Sequence, residues 1–103
     1  MTEGTTSDTS DMLFQLEAII QDRKAKLPPN SYTTKLFNAG IERITQKVGE
    51  EATEVVIASL RQSRQTQVNE LADLFYHTLV LMAELGISLQ DISAELEERH
   101  KPK

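Results

Sequence analysis

Cysteine and tryptophan are absent from this 103-residue chain, and glycine (four), proline (three) and aromatic residues (5%) are scarce. Without cysteine there is neither a disulfide framework nor a thiolate metal site. The first residues, Met1 to Asp8, offer no basic stretch followed by an apolar one, so they do not read as a secretory signal, and a cytoplasmic location is expected. The longest unbroken apolar run is Leu79 to Ala83, against the roughly 20 residues that a membrane span requires. Positive charge is also in deficit. Eleven Lys and Arg stand against sixteen Asp and Glu, a net charge of −5, which argues against a nucleic-acid partner.

What remains is a helical composition. Ala, Leu, Glu, Gln, Lys and Arg are abundant, no stretch alternates as a strand does, and the fold class is therefore all-α, an antiparallel bundle of four to five helices. Residues 1–10 hold no large apolar side chain after Met1 and read as a mobile tail, with 11–103 forming one domain. The spacing of Met12, Leu13, Leu16, Ile19 and Ile20 predicts a helix from Asp11 to about Lys26, stopped by Pro28 and Pro29. Ser31 or Thr33 caps a short helix ending near Gly40. A long helix is expected over about 41–62, with Ile41, Ile44, Val48, Ala52, Val55, Val56, Ser59 and Leu60 as its apolar stripe. Gln62 to Thr66 reads as a turn, and a second long helix follows over about 66–85, closed by Gly86. Its second half is apolar nearly all round, which a thin monomer cannot cover, so a homodimer is expected. Ser88 opens the last helix, with Asp91 as the capping-box acid and Ile92 and Leu96 facing inward.

The acids are patterned. Glu51 and Glu54 on the first long helix, and Glu70 and Asp73 on the second, are each spaced i, i+3, which leaves their Cβ atoms roughly 5–6 Å apart on one face. Glu50, Glu51 and Glu54 form one acidic wedge beside the apolar stripe, and Glu70 and Asp73 are embedded among Val68, Leu71, Leu74 and Phe75. Antiparallel packing of the two helices brings the pairs opposite one another, offset by about four residues, or 6 Å, for a turn centred near Arg64. Like charges so placed oppose folding, and a hard divalent cation with oxygen ligands, Mg²⁺ or Mn²⁺, is the natural counter-charge. The competing reading is an ordinary solvated helix face.

Three segments together resemble a known family: Ser31-Tyr32-Thr33-Thr34-Lys35-Leu36-Phe37 with Gly40; Gln46-Lys47-Val48-Gly49-Glu50-Glu51-Ala52-Thr53-Glu54; and Glu70-Leu71-Ala72-Asp73-Leu74-Phe75-Tyr76-His77. The two acidic motifs alone would indicate only the wider MazG-type all-α nucleotide pyrophosphohydrolases. With the Ser-Tyr-Thr, Lys-Val-Gly and Tyr-His elements, the chain resembles phosphoribosyl-ATP pyrophosphohydrolase of histidine biosynthesis over about residues 12–100. The resemblance implies Mg²⁺-dependent hydrolysis of the α,β-phosphoanhydride of a small nucleotide, phosphoribosyl-ATP, to phosphoribosyl-AMP and pyrophosphate. It further implies Glu51, Glu54, Glu70 and Asp73 as metal ligands, with Glu50 orienting or deprotonating water. Ser31, Tyr32, Thr33, Lys35, Lys47 and Asn69 become candidates for binding phosphate or ribose. Each also has a plainer role: capping for the hydroxyl residues, an ion pair with Glu51 for Lys47, helix initiation for Asn69. His77 lies on the face of Glu70 and Asp73, as a partner behind the ligands or an interface histidine. In some members this activity is fused to the next enzyme of the pathway; this sequence reads as the stand-alone form. Rival readings are a house-cleaning MazG-type pyrophosphatase and a non-catalytic helical adaptor.

Overall fold

The computed structural model describes residues 11–102, and the expected tail at 1–10 lies outside them. Five helices follow in order: α1 (Asp11–Lys26), α2 (Tyr32–Ala39), α3 (Ile41–Arg61), α4 (Arg64–Leu85) and α5 (Leu89–Arg99). No strand occurs among the described residues. The helix boundaries follow local chemistry. Leu27 ends α1 with its N–H bonded to the Arg23 carbonyl (2.7 Å) and a left-handed φ of +48°, and Pro28 and Pro29, which follow it, cannot continue the helix. Ser31 caps α2 by accepting the Thr34 N–H at 3.3 Å.

Between α2 and α3 stands Gly40, at φ 94° and ψ −179°, a conformation essentially restricted to glycine. A single residue therefore joins two helices and redirects the chain sharply. At the far end of α4, Gly86 adopts the left-handed conformation and Ile87 N–H reaches back to the Met82 carbonyl at 2.8 Å, a Schellman-type stop. Ser88 and Asp91 then form the expected capping box, with bonds of 3.1 and 2.9 Å.

α4 is the central element, packing against α1, α2 and most extensively α3. The core is small: Ile20 from α1, Leu36 from α2, Ile44 from α3, and Leu79, Val80 and Met82 from α4. Leu13, Leu16 and Phe37 lean on its edge. The apolar stripe of α3 is only partly inward. Ile44 and Ala58 are buried, whereas Ile41, Val56, Ser59 and Leu60 are exposed. Likewise α5 buries nothing: Ile92 and Leu96, expected to face inward, are exposed. The start of α5 is tied to α1 by the Leu89 N–H, which donates to the Glu17 carboxylate at 2.6 Å.

Two glycines should respond oppositely to alanine. A Cβ added at Gly40 or at Gly49 meets nothing within 4 Å, so only the backbone decides. Gly40→Ala is expected to destabilise by about 1–3 kcal/mol, the usual cost of an unsuitable backbone conformation. Gly49→Ala, inside α3, should stabilise by about 0.5–1 kcal/mol. Urea unfolding of both variants checks the opposite signs.

Candidate active site

The register of α3 against α4 decides which acids meet. The turn between them is shorter than expected, only Gln62 and Ser63, because Ser63 caps α4 by accepting the Thr66 N–H at 3.2 Å. Gln67 stitches the turn by donating its side-chain amide to the carbonyls of Ala58 (3.1 Å) and Gln62 (3.2 Å). Glu54 and Glu51 thus stand 8 and 11 residues before Gln62, and Glu70 and Asp73 stand 7 and 10 after Ser63. The expected four-residue offset shrinks to about one, roughly 1.5 Å along the axis.

Carboxylate oxygens of Glu51, Glu70 and Asp73 lie within 4.8 Å of one another. Glu51, from α3, is largely enclosed, its side chain 13% exposed, while Glu70 is half-buried and Asp73 exposed. Glu54 stands outside this triplet. Its charge nevertheless acts on Glu70, whose carboxyl is raised above its ordinary value by burial first, then by Glu54, Asp73 and Glu51. All the donors are oxygens, as a hard cation requires. With bonds of about 2.1 Å, adjacent ligands of an octahedral ion sit about 3 Å apart and opposite ones about 4.2 Å, so the three oxygens would draw together to hold one ion.

A cationic strip borders the acids on α3. Lys47 pairs with Glu50 at 3.5 Å and with Glu51 at 3.4 Å, so both the phosphate-binding candidate and its plainer role converge on one ammonium. Partial burial works against its charge, yet Tyr32, Glu51 and Glu50 outweigh it and hold the pKa above the ordinary value. Glu50 is exposed and engaged with Lys47 and, at 3.6 Å, with Arg43; it is not among the three converging carboxylates. One step of 100° around the helix separates it from Glu51. Arg43, absent from the sequence-derived candidates, was signalled by its i, i+4 relation to Lys47, which puts both cations on one face.

The hydroxyl residues of α2 divide. Ser31 is occupied as the cap and also lies 3.4 Å from Arg23 Nη1. Thr33 is buried and hydrogen-bonded to the Tyr76 hydroxyl. Tyr32 remains half exposed, its hydroxyl 2.8 Å from His77 Nε2. Lys35 is exposed, and the exposed Asn69 accepts from Gln65 at 2.9 Å. His77 is buried within the chain, with Nδ1 2.7 Å from the Asp73 carbonyl, so both ring nitrogens are engaged inside one protomer. Tyr76, part of the Tyr-His element but not among the site candidates, is stacked on Tyr32 with centroids 6.2 Å apart.

Because the Glu70 carboxyl is raised in the fold, its contribution to stability is present below the ordinary 4.5 and is lost as pH rises through the shifted value. At neutral pH its charge opposes folding. Glu70→Gln is therefore expected to raise the Tm of the metal-free protein at pH 7, the gain shrinking towards pH 4. Thermal melts across that range, with EDTA, measure it; a lower Tm at pH 7 would contradict the repulsion.

The arrangement can be compared with known proteins. The family model described as phosphoribosyl-ATP pyrophosphohydrolase matches residues 13–100. A phosphoribosyl-ATP pyrophosphatase of Leptospira biflexa is 48% identical over 90 residues, 87% of this chain and 98% of the relative. One from Pyrobaculum aerophilum is 51% identical over 87 residues, 84% and 93% of the two chains. The histidine biosynthesis bifunctional protein HisIE of Halalkalibacterium halodurans is 47% identical over 97 residues, 94% of this chain, which spans only 46% of that longer relative. The match runs through all five helices and takes in both acidic pairs, so this chain belongs to the phosphoribosyl-ATP pyrophosphohydrolase family.

Proposed function

We propose that this chain hydrolyses the α,β-phosphoanhydride of phosphoribosyl-ATP, releasing pyrophosphate and phosphoribosyl-AMP, in a reaction that depends on Mg²⁺, with Mn²⁺ as a substitute. One observation carries the reading: three carboxylates from two helices converge to within 4.8 Å instead of spreading over a solvated face. Family membership and relatives named as phosphoribosyl-ATP pyrophosphatases support it. A cytoplasmic location accompanies it as the setting of a biosynthetic enzyme acting on a small nucleotide, and no single helix of the described residues is long and apolar enough to cross a membrane.

Glu51, Glu70 and Asp73, with Glu54 beside them, would hold the cation. The ion would supply positive charge against the polyphosphate oxygens and acidify water. Lys47 balances Glu50 and Glu51 in the free protein and can turn part of its charge to a phosphate. Arg43, paired with Glu50, adds positive charge at the rim, the exposed Lys35 of α2 is a further candidate for phosphate, and Asn69 offers an amide from the first half of α4. Among the described residues Glu54 makes no ion pair within 4.0 Å and stands outside the three converging carboxylates, so it is freer than Glu50 to accept the proton of the attacking water. Glu50 would first have to leave Arg43 and Lys47.

Pyrophosphate release from phosphoribosyl-ATP, with ATP and dATP in parallel and with Mg²⁺ or EDTA, tests the assignment. Metal-dependent release from phosphoribosyl-ATP alone is expected. Comparable release from the free nucleotides would place the chain among house-cleaning pyrophosphatases, and none from any substrate would favour a helical adaptor. Glu51→Gln and Asp73→Asn should each lower turnover by roughly two orders of magnitude or more, as removal of a charge-stabilising group does, with helical content by circular dichroism unchanged.

The expected homodimer belongs to the same proposal. Leu13 of α1, Leu74, Phe75 and Leu79 of α4 and Ile92 of α5 line an apolar groove, which continues along Met12, Leu16, Val68 and Leu71. Phe75 and Leu71 are 49% and 43% exposed, more than isolated surface residues explain. A second copy covering this face would also give α5 a partner. Sedimentation should return twice the protomer mass of 11.6 kDa, and Phe75→Glu should shift the protein towards the monomer.

A further inference from the structure

The hydrogen bonds around His77 fix which way the Tyr32 hydroxyl proton points. Nδ1 lies 2.7 Å from the backbone carbonyl of Asp73, and a carbonyl oxygen can only accept, so Nδ1 carries a proton. A neutral imidazole that donates at Nδ1 accepts at Nε2. The group 2.8 Å from Nε2 is the Tyr32 hydroxyl, which in this tautomer donates its single proton to the ring. Packing holds the ring in this pose. His77 is 6% exposed and is met edge-on by Tyr32 and Tyr76, with centroids 5.7 and 5.1 Å away. Tyr76 is held in turn by Thr33, so the segment carrying Tyr32 is anchored at the next residue as well.

With its proton spent inward, Tyr32 turns only lone pairs to its exposed side. A phosphate oxygen offers no proton, so the phenol and a phosphate would meet as two acceptors. The natural ligand is a donor, and in a nucleotide whose phosphates face Glu51, Glu70 and Asp73 the nearest donors are the hydroxyls of the ribose that carries the phosphates. Position agrees: His77 is four residues beyond Asp73, about 6 Å along α4, so the Tyr32 hydroxyl that bonds it stands about one helical turn beyond the acidic cluster. Lys47, on which Tyr32 acts electrostatically, lies on the same side.

We propose that Tyr32 is a specificity-determining residue that accepts a hydrogen bond from a hydroxyl of the triphosphate-bearing ribose, and that His77 is the positioning residue committing it to that role. The proposal rests on the nucleotide-hydrolase reading of the site and narrows it: Tyr32 leaves the set of phosphate ligands and becomes a reader of the sugar.

Two measurements test it. Nitrogen-15 NMR of the histidine rings at pH 7 needs no substrate, and His100, the only other histidine, is assigned with His100→Gln. Protonated Nδ1 with bare Nε2 is expected for His77, the Nε2 resonance moving in Tyr32→Phe; an Nε2-protonated tautomer or an imidazolium overturns the proposal. The second compares binding of ATP, 2′-deoxy-ATP and 3′-deoxy-ATP, with Mg²⁺, to the wild type and to Tyr32→Phe. The wild type should bind one deoxy form roughly tenfold more weakly than ATP, about the worth of one hydrogen bond, and Tyr32→Phe should abolish that preference. His77→Leu should reproduce the loss and His77→Gln, which keeps an acceptor, should restore part of it. An equal preference in wild type and Tyr32→Phe overturns the proposal. Neither measurement requires turnover, so a chain inactive on phosphoribosyl-ATP would defeat the proposed reaction while these results still decide the role of Tyr32.

Discussion

The two-residue turn between α3 and α4 is the constraint on which the rest depends. An antiparallel helix pair has one free variable along its axis, and Ser63 and Gln67 remove it. Ser63 starts α4 at once, and Gln67 reaches back to the last turn of α3, so that the chain reverses with no slack. One residue more or less would rotate α4 by about 100° and carry Glu70 and Asp73 off the face that meets Glu51. The site is thus a consequence of a capping hydroxyl seven residues before Glu70 and a side-chain amide three residues before it.

Bringing those acids together has an energetic cost that the small core must absorb. Only six side chains form its buried centre, and many large apolar side chains remain exposed. The molecule holds a repelling trio of carboxylates by surrounding it with compensation. Lys47 leans on Glu51 and Glu50, Arg43 reaches Glu50, and Glu70 resists ionisation. None of these is strong alone, since partly exposed ion pairs are worth little. Together they leave a site short of positive charge, which is the condition for binding a cation.

Much of this was legible in the chain. Caps and stops at Ser31, Gly40, Gly86 and Ser88 are local chemistry, and they place the helices to within a residue or two. The i, i+3 acids are legible for the same reason, because helical periodicity alone puts each pair on one face. What periodicity could not supply is what lies across from a face. The stripe of α3 reads as inward over its whole length, yet Val56 and Leu60 are largely exposed, and so are Ile92 and Leu96 on α5. The four-residue offset also failed, since the polar stretch Gln62 to Thr66 looks like a loop until Ser63 is seen to cap a helix beginning at Arg64. Of the four acids, three converge and Glu54 stands aside, a distinction of side-chain placement that spacing does not carry.

The hydroxyl segment of α2 shows the same limit in a more instructive form. Ser31, Tyr32 and Thr33 look equivalent in sequence, three consecutive hydroxyls beside a lysine. Helical geometry sends them in different directions: Ser31 to the backbone of its own helix, Thr33 inward to Tyr76, and Tyr32 across to His77. One is consumed in capping α2 and one in holding it against the bundle. The third is consumed only on its donor side, by a histidine whose own orientation is fixed by the carbonyl of Asp73. A single helix turn of α4 therefore carries the Asp73 carboxylate that faces Glu51 and the Asp73 carbonyl that, through His77, orients α2. Because one residue serves both through different groups, the acidic cluster and the wall beside it are set by the same stretch of backbone, and neither can shift without the other.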